Sequence, residues 1–140
     1  MYEPIRTKSV HSTMADGSPD FPHRSREEEL DIQLAGHLAA LLTVTDELRD
    51  LAPGAELDAA AERLAAQVAR LRGGQPPVRV PLSVVRDTGR LAGLHRRAHA
   101  LAGRALVVAA SRADTVVAIL AAERMDAHTA ALESLALASR

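Results

Sequence analysis

The sequence predicts an all-α protein, an antiparallel bundle of four helices behind a flexible N-terminal tail. Three observations predict it. Apolar residues make up 47 % of the chain, enough to form a core rather than a disordered polypeptide. Leucine, alanine and valine recur at alternating steps of three and four residues, which places them on one helix face. Prolines and glycines fall between these stretches, where helices must stop. A length of 140 residues fits one domain, here 25–140, with a single core.

Residues 1–24 read as the tail. Pro4, Gly17, Pro19 and Pro22 interrupt it and no apolar period appears. Met14 is a possible alternative start, and Tyr2 or Phe21 could anchor a partner.

The first helix is expected over 26–51. Ser25 and Glu28 form an S-x-x-E capping box, and Glu27, Glu28 and Glu29 sit where the helix dipole favours negative charge. Leu30, Leu34, His37, Leu41, Val44 and Leu48 then follow as an unbroken heptad seam, read as core or as a partner-binding surface. Leu38 and Leu42 widen the stripe. Pro53-Gly54 ends the helix.

A second helix is expected over 56–72. Leu57, Ala61, Leu64, Val68 and Leu71 keep the same rhythm, and Gly73-Gly74 stops it. The short link to the first helix implies an antiparallel hairpin. The linker 73–83 carries three prolines and is long enough to cross one end of a bundle.

From 84 onward the pattern is helical again. Leu91, Leu94, Ala98, Leu101, Ala105 and Val108 form one stripe, and Val117, Ala121, Met125, His128, Leu132 and Leu135 form another on roughly the opposite side. Either the helix breaks near Ser111, where S-x-x-D could cap a new start, or one helix of about 50 residues runs through, about 75 Å long. The face switch favours a break, with helices over 84–110 and 112–138. The absence of Gly and Pro after 103 favours the three-helix alternative.

The seam residue His37 reads as a core histidine or as a polar residue that fixes register or oligomer state. His95 and His99 lie four apart in HRRAH, a spacing that can present two imidazoles to one metal ion. They fall roughly 90° and 130° from the seam centre, no carboxylate follows at ligand spacing, and no metal is expected.

Charge is segregated. Residues 25–62 hold ten acids and two arginines, whereas 63–112 hold ten arginines and one acid, Asp87, in a chain of net charge −1. Arg90, Arg97 and Arg104 recur every seven residues beside the third seam. The flanks of the first helix offer Glu27, Glu29, Asp31 and Glu47, so interhelical ion pairs are expected. The rival reading is a phosphate-binding stripe of Arg86, Arg90, Arg96, Arg97 and Arg104 for nucleic acid. Near-neutral total charge and the lack of aromatic residues for base stacking beyond Tyr2 and Phe21 of the tail oppose it.

The chain has no cysteine, no Gly-rich phosphate loop and no G-x-S-x-G, and Ser83, Ser111 and Ser134 have no evident base. Neither an enzyme nor a cofactor is expected. No signal-peptide core is present. The longest aliphatic run, Val116 to Ala122, is far short of the ~20 residues of a membrane span, so a cytoplasmic protein is expected. Its sixteen arginines against one lysine, with abundant alanine, resemble the usage of short helical proteins of high-GC actinobacteria. That resemblance is compositional and implies no activity. The expected role is a small interaction or regulatory protein that binds a protein partner or itself, as a homodimer, through helix–helix contacts.

Overall fold

In the computed structural model the structure describes residues 24–79 and 87–140, and the regular elements among them are helical. Helix α1 covers Arg26–Leu51, α2 Ala55–Leu71, α3 Leu91–Arg112 and α4 Thr115–Ala138. The expected tail, apart from Arg24, lies outside the described residues, as do Arg86 and the expected start of the third helix at 84. The α3 helix begins at Leu91 because Asp87 Oδ1 accepts the Gly89 N–H at 3.0 Å. That side-chain turn leads into a 3-10 turn over Thr88–Arg90 and competes with α-helix.

Helix α1 starts as its sequence dictates. The Ser25 hydroxyl accepts from the Glu28 N–H at 3.1 Å, and the Glu28 carboxylate accepts from the Ser25 N–H at 2.8 Å. Its leucines form the centre of the core. Leu34, Leu41 and Leu48 are fully buried, with Val44 beside them and Leu30 at the edge. The seam is therefore consumed inside the bundle rather than left for a partner. His37 is only half-buried, and Leu38 is buried in its place. The true buried face is centred between the 34/41/48 and 38/45 rows. Thr45 joins it by returning its hydroxyl to the Leu41 carbonyl at 2.8 Å.

The ion pairs give the helix directions. Arg90 at the start of α3 meets Glu47 near the end of α1, and Arg112 at the end of α3 meets Asp31 near the start of α1, so α1 and α3 are antiparallel. Arg70 at the end of α2 meets Asp114 at the start of α4, so these two are antiparallel as well. Helices α2 and α3 consequently run parallel. The described part of the linker, 73–79, climbs the length of the bundle, where the sequence suggested a crossing of one end. Arg72 leaves the end near Asp114, whereas Arg79 donates to both carboxylate oxygens of Asp46, at 3.0 and 2.8 Å, next to Glu47 at the other end. Seven residues at ~3.3 Å each nearly match the ~25 Å length of α2. Pro76-Pro77 favour that extension. Burial alone would raise the Asp46 carboxyl, but hydrogen bonds from Arg79 and Arg49 outweigh it and hold Asp46 below the ordinary carboxylate value.

The four-helix alternative holds, and the 50-residue helix is not formed. The break is not capped by Ser111, however. Helix α3 ends at Ala113, whose backbone is left-handed with φ +60°. The Asp114 N–H bonds to the Ala109 carbonyl at 2.8 Å and the Ala113 N–H to the Ala110 carbonyl at 3.1 Å, the Schellman arrangement. Asp114 then caps α4 by accepting the Val117 N–H at 3.2 Å. Helix α2 ends the same way with Gly73 and Gly74 at positive φ. An alanine in this conformation costs about 1 kcal/mol relative to glycine. Ala113→Gly is therefore expected to stabilise the protein by about 0.5–1 kcal/mol, read as a higher urea midpoint with an unchanged slope.

Candidate functional site

Two features stand out from the packed core: a buried polar chain linking α2, α4 and α3, and an open apolar groove along the outer side of the α3/α4 hairpin.

The polar chain begins at Glu56 in the first turn of α2, whose carboxylate holds Arg124 of α4 through both terminal guanidinium nitrogens. The Arg124 side chain is only 3 % exposed and that of Glu56 64 %, so the carboxylate draws a buried cation toward solvent. Arg124 Nη2 lies 3.2 Å from His128 Nε2, and His128 Nδ1 lies 2.9 Å from His95 Nδ1 on α3. The partners fix the protons. A guanidinium only donates, so His128 Nε2 must accept and its proton sits on Nδ1. His95 Nδ1 must then accept that proton, which leaves the His95 hydrogen on Nε2. Direction runs from Arg124 to His128 to His95, with both rings neutral.

Burial reinforces that state. His128 is 1 % exposed. Burial, followed by the charge of Arg124 and by His95 and His99, pushes its pKa down to about 3. Burial and then Arg124 likewise lower His95, against a smaller opposing pull from Glu56. Arg124 Nε is buried and has no hydrogen-bond partner among the described residues. The chain orients three helices around one row of contacts. With the neighbouring cation so close it is poorly suited to a metal ion.

The sequence-derived candidates are distributed differently from expectation. His95 and His99 do not converge on a shared point. His95 turns inward to His128, correcting its expected place at the margin, and His99 is half-buried in the outer groove. No group of three His, Asp or Glu among the described residues could hold a metal. Of the arginines on α3 and the turn that leads into it, only Arg90 and Arg112 pair with α1 among the described residues. The register explains this. If Glu47 faces Arg90, the antiparallel heptad places Ala40 opposite Arg97 and Gln33 opposite Arg104, and neither is a carboxylate. Arg96, Arg97 and Arg104 are exposed and make no salt bridge among the described residues, so the expected complementarity of α1 and α3 holds only at the two ends. Arginines of α2 pair with α4 instead, Arg63 with Glu123 and Arg70 with Asp114.

Glu56 and Arg124 were not singled out by sequence reasoning. A signal existed. Val117, Ala121, Arg124 and His128 step by 4, 3 and 4, so Arg124 occupies a core position that the half-buried Met125 was expected to fill.

The groove lies on the other side of α3 and α4. At the end nearest His95 it is lined by Arg96, His99, Thr129, Leu132, Glu133 and Ala136. At the opposite end Ala110, Ala113, Ala118, Ile119 and Ala122 line it. Met125 lies over Gly103 in the middle, where an added Cβ would stand 3.7 Å from Met125 Cε. On each helix these positions recur in steps of three and four, a second seam facing away from the core. Ile119 is 53 % exposed on its edge. No helix among the described residues is long and apolar enough to cross a membrane.

Two outcomes follow from the polar chain. Unfolded histidines titrate near 6.5 and take up protons that the folded His128 refuses. Stability is therefore full above about pH 6.5 and falls by about 1.4 kcal/mol per pH unit below it for His128 alone, toward pH 3. Urea midpoints measured from pH 7 to 4.5 should show this slope, and His128→Leu should flatten it. Glu56→Ala leaves Arg124 buried without its carboxylate and is expected to cost about 1–2 kcal/mol, discounted for the exposure of Glu56. Arg124→Met removes the charge itself and should cost less. Thermal melts of the two variants at pH 7 test that order. No protein-family model, no curated protein and no solved structure matches this chain, so a functional reading rests on its own residues.

Proposed function

We propose that this protein is a non-catalytic interaction module that docks a helical surface of a protein partner on the α3/α4 groove. The observation that carries the reading is a second apolar seam left open after the core is complete. The α1 leucines are spent inside the bundle, whereas Ile119, Leu132 and the alanines of the groove retain exposed surface. Small residues along such a seam let a partner helix approach closely, and Arg96 and Glu133 at one end give it a charge code. The histidines support the reading in another way. Their inner nitrogens are spent on each other behind α3 and α4, which holds the two helices in register as a rigid docking platform. A cytoplasmic setting accords with the lack of cysteine.

A second reading, phosphate binding, retains support from Arg97 and Arg104, which are exposed on a helix that carries no acid. Two phosphate contacts would give a salt slope of only about −2. A DNA titration at low and moderate salt that shows no binding removes it.

The main reading is tested by placing a photo-crosslinking amino acid at Ile119 and, as control, at exposed Glu62 on α2, in the cells that make the protein. A discrete adduct from position 119 and none from 62 is expected. Equal or absent adducts at both positions would remove the docking role of the groove.

A further inference from the structure

We infer that the occupant of the α3/α4 groove is a second copy of this chain, packed face to face with like ends together. The inference rests on the groove being a docking surface and names what fills it.

The argument is one of charge and register. His95 opposite His128 and Gly103 beside Met125 set the antiparallel alignment of α3 and α4, and Arg96 and Glu133 fall at the same level, on opposite helices of one groove. They make no salt bridge with each other within the chain. A two-fold axis parallel to the helices lays α3 of each copy over α4 of the other. Arg96 of one copy then comes beside Glu133 of the second, and the symmetry makes that pair twice. At the far end Ile119 of each copy meets the flat alanine surface around Ala110 of the other.

The alternative two-fold, with opposite ends together, fails on the same residues. It would bring Arg96 to Ala110 and Ala113. The one carboxylate there, Asp114, is already held by Arg70 and by the Val117 N–H. Burying an arginine without a partner is costly, so charge selects the like-end arrangement.

Area is consistent with a modest dimer. Two adjacent helices about 33 Å long and ~10 Å wide present about 650 Å² per copy, somewhat under the ~800 Å² per partner of a standard interface. A dissociation constant on the order of 10 µM is expected.

Sedimentation equilibrium on the full chain up to about 200 µM tests this. Wild type should be a reversible dimer. Arg96→Glu and Glu133→Arg each create two like-charge contacts and should weaken dimerisation by about tenfold or more, with unchanged helical circular dichroism, since both side chains lie on the surface. Mixing the two variants in equal amounts should restore dimer, because in the mixed pair both contacts regain opposite charges. A wild type that stays monomeric, or a mixture no tighter than either variant alone, overturns the inference. So does a monomer that dimerises once residues 1–23 are deleted, which would place the chain's own N-terminal segment in the groove. If wild type is monomeric while position 119 still crosslinks to a protein of different mass, the docking role survives and only the second copy is refuted.

Discussion

Between residues 24 and 140 this chain has no Phe, Tyr or Trp, and the packing of the bundle follows from that constraint. A core of leucine, valine and alanine reaches native density only if helices approach closely. Helix α3 supplies the close approach. Ala98, Ala102, Ala105 and Ala109 are fully buried along it, and α1 and α4 both pack against it. Alanine interlocks weakly, so apolar packing alone specifies register poorly.

Polar contacts supply the missing specificity. Helices α2 and α4 are bridged by long side chains: Arg63 to Glu123, Arg70 to Asp114 and Glu56 to Arg124. The exposed pair among them, Arg63 with Glu123, adds little stability. The buried step from Arg124 through His128 to His95 works differently, because one proton arrangement satisfies all of its contacts. A slide of α4 along α3 would part His128 from His95 and leave an imidazole nitrogen of each without its partner inside the protein. The same arrangement buries two neutral imidazoles, so acid is expected to destabilise the fold.

That outer face shows how a two-sided hairpin divides its labour. Helix α3 turns alanines inward and Gly103 and Ala110 toward the groove. Helix α4 turns Val117, Ala121 and His128 inward and Ala118, Ala122 and Met125 toward it. Each helix carries two apolar seams; the bundle buries one and leaves the other partly exposed, with Ala118 and Met125 still touching the core. The α1 helix, whose heptad is more regular, spends its leucine seam between α2 and α3, the two helices packed against it.

The existence of four helices, the bounds of α1, the capping box at Ser25 and the Gly73-Gly74 stop were legible in the sequence, since each depends on neighbours within a turn or two of chain. So was the break before α4, although its cap at Asp114 and the left-handed Ala113 were not, because alanine gives no local sign of that conformation. The parallel run of α2 and α3, the lengthwise linker held by Arg79 on Asp46, and the meeting of Glu56, Arg124, His128 and His95 were decided by tertiary structure alone. Local periodicity fixes which face of a helix is apolar to within a residue or so. A shift of one residue turns a helix by about 100°, and that was enough to exchange Met125 for Arg124 and to move His95 from the margin into the core. Which polar groups finally share the interior depends on how distant helices are placed, and sequence spacing does not encode that placement.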